Sequence, residues 1–348
     1  MWSPELEFVC EHCGSALRYR QQSRNGQCHA DWKVDDDGIV RLLGDGNVTE
    51  AMDALVEALC ADGMTPFKRA EKFESELQQL YPEFEYESWL NPDQADWVRI
   101  EPLAGKTVLE LGSRYGALTR SLTRRADHVV AVDTNLDGLK FSAAMNAPAD
   151  IDNLTLVHGD ATDLPLGDDQ FDVVVLNGVL KHVGSGDGSD ADADGTDAQR
   201  TLLRQVRRWL RPDGRLLLSE WNKLYPLRLA STVVPTAVEK RLFGGDDRQH
   251  PSASARLHSE RGYVGLLERA GFRNVTVSYA VPDRRSPAFI FSDDRLLAAF
   301  LKRKLVSLGS CLHGAVSPQV LSRVPLPPGT RRLLGALTPA FKITADAA

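Results

Sequence analysis

The sequence predicts an α/β protein built on a mostly parallel sheet with helices on both faces. Three observations carry that reading. Short β-branched runs, almost continuous in apolar residues, recur in "KTVLEL", "DHVVAVD", "NLTLVHGD" and "FDVVVLNG". A strand buried on both faces reads this way, whereas a half-solvated antiparallel strand alternates. The runs are spaced by helical or loop segments, which is the rhythm of βα units. Downstream, "TLLRQVRRWLRPDGRLLLSEW" adds an amphipathic helix, a turn and a fifth strand, and "RGYVGLLERAGFRNVTVSYAV" adds a helix stopped by Gly271 and a sixth strand.

The flanking segments follow in order. Residues 1–45 read as a small cysteine-containing β-ribbon module. Residues 46–100 read as a helical linker or cap: "TEAMDALVEALC" has helical apolar spacing behind a Thr cap with acids in its first turn, and Pro82 and Pro92 interrupt the aromatic-rich remainder. The α/β core spans 101–280, and 281–348 is a basic, leucine-rich C-terminal extension expected to be helical. Residues 184–197, "GSGDGSDADADGTD", are low in complexity and read as a solvated insertion. Their "DADADG" imitates the start of an EF-hand, but the twelfth position is Thr201 rather than a bidentate Glu.

Composition narrows the function. At 348 residues with 43% hydrophobic content, the chain is long enough for a catalytic core with appendages. It has no apolar run of membrane-spanning length, and its N-terminus lacks the basic and apolar regions of a signal peptide. Three of the five cysteines crowd into the first 28 residues, a metal-like spacing that fits a reducing cytoplasm. Residues 1–100 hold 9 Lys and Arg against 20 Asp and Glu, which opposes wrapping a nucleic acid. Residues 281–348 hold 10 against 4, a charge suited to an anionic substrate or a peripheral contact at the inner membrane face.

The most informative stretch is "VLELGSRYG", residues 108–116. A glycine turn after the first strand of a βαβ unit lets a ligand approach the backbone and the next helix. A dinucleotide fingerprint needs glycines at 112, 114 and 117, and only Gly112 is present. Arg114 in place of the middle glycine disfavours a pyrophosphate and hence NAD or FAD. A cofactor without a pyrophosphate, S-adenosylmethionine (SAM), needs no such clearance. "VLELGSRYGALT" resembles motif I of class I SAM-dependent methyltransferases. Asp133 lies 21 residues after Gly112, "HGDATDLP" follows the third strand, "FDVVVLNGVLKHV" is similar to motif IV, and "LRPDGRLLLSE" to the hairpin after it.

That resemblance implies a Rossmann-like, seven-stranded sheet and a SAM site. It assigns Glu110, Gly112, Ser113, Arg114, Gly116, Asp133, Asp160, Ala161 and Asn177 to the cofactor, with Asp133 on the ribose hydroxyls and Asp160 on the adenine amino group. Arg114 departs from the motif and has three open fates: projecting to solvent, clamping the methionine carboxylate, or filling the space SAM needs.

"CEHC" places Cys10 two residues from Cys13, and "CHAD" places Cys28 ahead of Asp31. Two such knuckles build a tetrahedral zinc ribbon. The run is similar to the Trm112-like ribbon found ahead of many methyltransferases, with Asp31 where that family has its fourth cysteine. The expected zinc ligands are therefore Cys10, Cys13, Cys28 and Asp31, with His12 or His29 as substitutes for the last.

A hydroxyl acceptor needs a base for its proton. His182, two residues past "NGVL", is the preferred one, since imidazole titrates near neutrality. His250 and His258 are further candidates in "DDRQHPSASARLHSERGYVGLLERAGF", a stretch similar to methyltransferases associated with glycan and lipopolysaccharide assembly. The absence of proline or aromatic residues after Asn177 disfavours nucleic-acid base methylation. The expectation is a cytoplasmic O-methyltransferase for a sugar in a glycan or lipid-linked saccharide. Two alternatives remain: a zinc-ribbon RNA or protein methyltransferase, and a non-catalytic scaffold.

Overall fold

The computed structural model describes residues 7–9, 16–18, 33–44, 46–91, 97–147, 151–184, 196–225, 255–281, 284–285, 287–292, 296–300 and 338–347. Cys10, Cys13, Cys28, Asp31 and His250 lie outside the described residues, as do 185–195 of the low-complexity stretch. The chain forms two compact units: residues 1–177, 201–216 and 346–348 make the first, and 178–200 with 217–345 the second.

The first unit is a Rossmann-like α/β layer structure. Its strands are β1 (Glu7–Val9), β2 (Ala16–Arg18), β3 (Lys33–Val34), β4 (Val40–Arg41), β5 (Thr107–Leu111), β6 (His128–Asp133), β7 (Leu154–His158), β8 (Phe171–Asn177) and the first part of β9 (Leu210–Trp221). β1 and β2 pair antiparallel as a separate ribbon, while the main sheet runs in the order β9-β8-β5-β6-β7-β4-β3. The predicted parallel core is present. β5 lies between β6 and β8 with Leu109 opposite Val130 and Val174, and β6 pairs β7 with Asp133 opposite His158. Val108, Leu109, Val129, Val130, Val173 and Val174 are wholly buried, as apolar runs with helices on both faces require.

Residues 33–41, read from the sequence as part of a separate module, instead extend this sheet. β3 and β4 form an antiparallel hairpin, and β4 joins β7 in parallel, Val40 opposite Val157 and Arg41 opposite His158. Residues 46–91 form a packed layer of helices. These are α1 (Glu50–Cys60), α2 (Pro66–Lys72), α3 (Glu74–Leu80) and α4 (Tyr86–Trp89). Thr49 caps α1, its side chain accepting from the Met52 amide. Met52, Leu55, Leu59, Leu77, Phe84 and Trp89 bury their side chains with Tyr115 of the glycine turn and with Phe141 and Met145 of α6 (Leu136–Asn146). The remaining helices of the unit are α5 (Ala117–Thr123) and most of α7 (Thr196–Trp209).

The second unit carries the end of β9, α8 (Glu260–Ala270), β10 (Phe272–Val281), β11 (Phe289–Phe291) and β12 (Ala340–Ala347), in the sheet order β11-β10-β12-β9. Two expectations need correction. The strand count exceeds seven, because β3 and β4 add to the first unit and β11 to the second. Residues 340–347 form a strand rather than part of a helical extension, with Ala340, Phe341, Lys342, Ile343, Ala345 and Ala347 buried. Among the described residues no helix is long and apolar enough to cross a membrane.

Candidate functional site

The turn after β5 is built around three left-handed backbones: Gly112 (φ +76°), Arg114 (φ +51°) and Gly116 (φ +85°). Glycine adopts such angles without penalty, and Gly116 has a second reason to be glycine. A Cβ there would lie 2.3 Å from Ser142 Oγ of α6, and a Cβ on Gly138 would lie 2.5 Å from the Arg114 carbonyl oxygen. The turn and α6 thus meet backbone to backbone. Tyr115 completes the fixing from the other side, stacked on Trp89 at 3.4 Å between ring centroids and 8° between planes. The Thr49 hydroxyl donates to Asp137 Oδ2 (2.6 Å) and the Thr49 amide to Oδ1 (2.8 Å), which ties the helical layer to the first turn of α6.

The acids lie where the strand ends place them. Glu110 is fully buried beneath the turn and accepts a 2.6 Å bond from the Thr119 hydroxyl of α5. Burial is the main cause that pushes its carboxyl up to about 8, opposed by the Thr119 bond and reinforced by the nearby Asp133 charge. Asp133, at the end of β6, accepts from the Arg114 amide through Oδ2 (2.7 Å) and from the Asn135 amide through Oδ1 (2.8 Å). Burial raises its carboxyl above the ordinary value against these bonds. Each Asp133 oxygen keeps lone-pair capacity for a further donor. The Ser113 hydroxyl is buried in the turn and finds no hydrogen-bond partner among the described residues. Asp160 Oδ1 accepts from both the amide (2.8 Å) and the hydroxyl (2.7 Å) of Thr162, with Ala161 half-buried between them. Asn177 ends β8, half-buried.

The structure brings these nine sequence-predicted residues into one unit, at the carboxyl ends of β5, β6, β7 and β8 and the loops that follow. That edge of an open parallel sheet is where ligands bind. The Arg114 side chain is exposed. Residues 109–218 match the family model described as "Methyltransferase domain". Over those residues the chain is similar to methyltransferase domains. It is similar to the ubiquinone/menaquinone biosynthesis C-methyltransferase UbiE of Vibrio campbellii, 29% identical over 49% of this chain and 65% of that protein. It is also similar to the demethylmenaquinone methyltransferase of Clavibacter sepedonicus, 31% identical over 35% of this chain and 44% of that one. In neither case does the match reach two thirds of the relative's length. Among solved structures, a phosphoethanolamine N-methyltransferase of Haemonchus contortus is 18% identical, covering 81% of this chain and 50% of that chain with a TM-score of 0.45.

Two of the predicted bases, His182 and His258, fall in the second unit. His182 is exposed on a short 3-10 turn, Leu180–His182, while its neighbour Lys181 is buried with its ammonium on the Gly178 carbonyl. The half-buried His258 donates through Nε2 to Gln199 Oε1 at 2.6 Å. Gln199 spends its amide N–H groups on the carbonyls of Leu180 (2.7 Å) and Arg256 (3.2 Å), so its oxygen must accept and the His258 tautomer follows. Through Gln199 the His258 bond braces the backbone at Leu180 and Arg256 within the second unit.

Sequence reasoning missed three features. One is the Trp89–Tyr115 stack, signalled only by an aromatic inside the glycine turn. Another is His158, buried at the end of β7 in bonding contact with Arg41. The third is a group of buried polar side chains in the second unit, Glu220, Arg284 and Lys342, which accompany the buried Lys181 and Asn222. Lys342 Nζ donates to Ser219 Oγ (2.7 Å) and to the Arg284 carbonyl (2.6 Å), and Glu220 Oε1 accepts from the Lys181 amide (3.2 Å). The charged residue closing the apolar run "LLLSEW" was its one visible sign.

Proposed function

We propose that the protein is a SAM-dependent methyltransferase acting on a hydroxyl of a sugar, in a glycan or a lipid-linked saccharide intermediate. The observation that carries the cofactor assignment is the turn itself. Its buried Ser113 hydroxyl finds no partner among the described residues, its backbone carries three left-handed residues, and Asp133 stands beside it with lone pairs to spare. When bound, SAM supplies an electrophilic methyl group for in-line displacement. This chain's part is positional. Asp133 accepts from the ribose hydroxyls, Asp160 from the adenine amino group, the Ser113 hydroxyl faces the methionine portion, and Glu110 buttresses the turn through Thr119. Calorimetry with S-adenosylhomocysteine and with NAD tests this: the first should bind at micromolar level, and Asp133→Ala should weaken it at least about tenfold, the scale of a hydrogen bond to a charged group. NAD binding without S-adenosylhomocysteine binding would overturn it.

The acidic first hundred residues support a small or glycan-lipid acceptor over a nucleic acid, and the basic residues 281–348 a peripheral contact with anionic lipid. His182 serves as the base in this reading, with His250 and His258 as alternates. The names of the relatives support a second reading, methylation of a ring carbon in quinone biosynthesis. Transfer of labelled methyl from SAM to glycosides and to demethylated quinones, with the new methyl located by NMR, separates O- from C-methylation. The spacing of Cys10, Cys13, Cys28 and Asp31 supports a bound zinc, which elemental analysis of protein purified without chelator decides.

A further inference from the structure

Three residues stand in register across neighbouring parallel strands at their carboxyl ends: Asp133 on β6, His158 on β7 and Arg41 on β4. The contacts between them have a direction. Arg41 Nε can only donate, and it donates to His158 Nδ1 at 3.3 Å. That fixes the proton on Nε2, which faces the Thr134 carbonyl at 3.2 Å and so donates to it. Thr134 is the residue after Asp133, in the turn whose Asn135 amide holds Asp133 Oδ1. Arg41 is itself held from two further sides, by Asp35 Oδ2 (3.4 Å) and by the Gly46 carbonyl. The His158 carbonyl in turn receives the amides of Leu42 (2.9 Å) and Leu43 (3.1 Å). A strand that lies outside the methyltransferase match is therefore wired to the carboxylate assigned to the ribose.

We propose that Arg41 and His158 are positioning residues for cofactor binding: through the Thr134 carbonyl they set the turn that aims the Asp133 carboxylate at the ribose hydroxyls. The inference rests on the assignment of Asp133 to the ribose. It places residues 33–44 within the working cofactor site rather than in a detachable module. A carboxylate–hydroxyl pair tolerates little misplacement, since hydrogen bonds weaken steeply with angle. Loss of the brace should therefore reduce specifically the part of the affinity that the ribose hydroxyls contribute.

The experiment compares adenosine with 2′,3′-dideoxyadenosine, each displacing S-adenosylhomocysteine, on four proteins: wild type, Asp133→Ala, His158→Phe and Arg41→Met. Wild type should prefer adenosine by about tenfold or more, and Asp133→Ala should abolish the preference. His158→Phe and Arg41→Met should each shrink it to about threefold or less while leaving the dideoxy compound's affinity unchanged. A general loosening of the fold would weaken both nucleosides alike, and that result would overturn the proposal. So would an intact preference in both variants when Asp133→Ala loses it. If Asp133→Ala keeps the preference, the ribose assignment itself falls. Arg41→Met removes a half-exposed head group, so it carries the test alone should His158→Phe fail to fold.

Discussion

At the scale of single residues, the cofactor turn is defined by two departures from ordinary chemistry. Arg114 holds a left-handed backbone (φ +51°) that costs a side-chain-bearing residue about 1 kcal/mol or more. Its exposed side chain has no buried contact to lose. Arg114→Gly should therefore raise stability by about 0.5–1 kcal/mol in urea unfolding, after the extra chain entropy of glycine is deducted. It should leave S-adenosylhomocysteine affinity unchanged if the side chain projects outward; a tenfold loss would show it clamping the methionine carboxylate instead. The second departure is Glu110, a carboxyl raised to about 8 by burial. The sign is the reverse of the common carboxylate case. The folded state retains the proton that the unfolded chain releases near 4.5, so stability falls as pH rises from about 4.5 to about 8, by at most about 1.4 kcal/mol per unit. Glu110→Gln keeps an acceptor for Thr119 and should flatten that fall; unfolding curves at pH 5, 6.5 and 8 compare the two. The acid positions were legible in the sequence because their spacing follows strand and turn lengths. The left-handed Arg114 was not, because its conformation is imposed by α6 and Asp133 rather than chosen by local propensity.

The same division holds for whole elements. β5 to β8 could be read directly, because strands buried on both faces leave continuous apolar runs. β3 and β4 could not, because two-residue strands carry no periodicity and their partner, β7, is more than a hundred residues away. β12 was hidden by the basic composition of its surroundings and by Lys342 in its middle, whose buried ammonium is satisfied by Ser219 and the Arg284 carbonyl. Helix glycines show how packing overrules propensity. Gly138 and Gly265 both sit inside helices, where Ala should be favoured by about 1 kcal/mol. At Gly265 the nearest atom to an added methyl is the flexible end of Arg269, 3.8 Å away, so Gly265→Ala should stabilise by about 0.5–1 kcal/mol. At Gly138 the added methyl meets the Arg114 carbonyl at 2.5 Å, and backbone cannot step aside cheaply. Gly138→Ala should cost about 1–3 kcal/mol and weaken S-adenosylhomocysteine binding with it, the strain falling on the cofactor turn. Thermal melts with and without ligand on both variants check the pair.

For the molecule as a whole, the two units are linked by elements that do not stop at their boundary. The chain passes from one to the other between residues 200 and 201, inside α7, and between 216 and 217, inside β9. Unfolding either unit alone would cut a helix and a strand in mid-course, leaving their exposed ends without backbone partners. Helices cut to a single turn are unstable, because nucleation must be repeated for few bonds gained. The expected behaviour is one cooperative transition for both units. All residues assigned to the cofactor lie in the first, so the ligand reports on that coupling. S-adenosylhomocysteine at a hundred times its dissociation constant adds about 2.7 kcal/mol by mass action to whatever unfolds with its site. Under a single transition that increment reaches the second unit too. The most protected amides of α8 should then exchange more slowly by about a hundredfold, although no residue there is assigned to the ligand. Hydrogen exchange followed by mass spectrometry, with ligand present and absent, measures this directly. Slower exchange in β5 and β6 with α8 unchanged, or a two-step melt in which only one step moves, would mean that the units unfold separately.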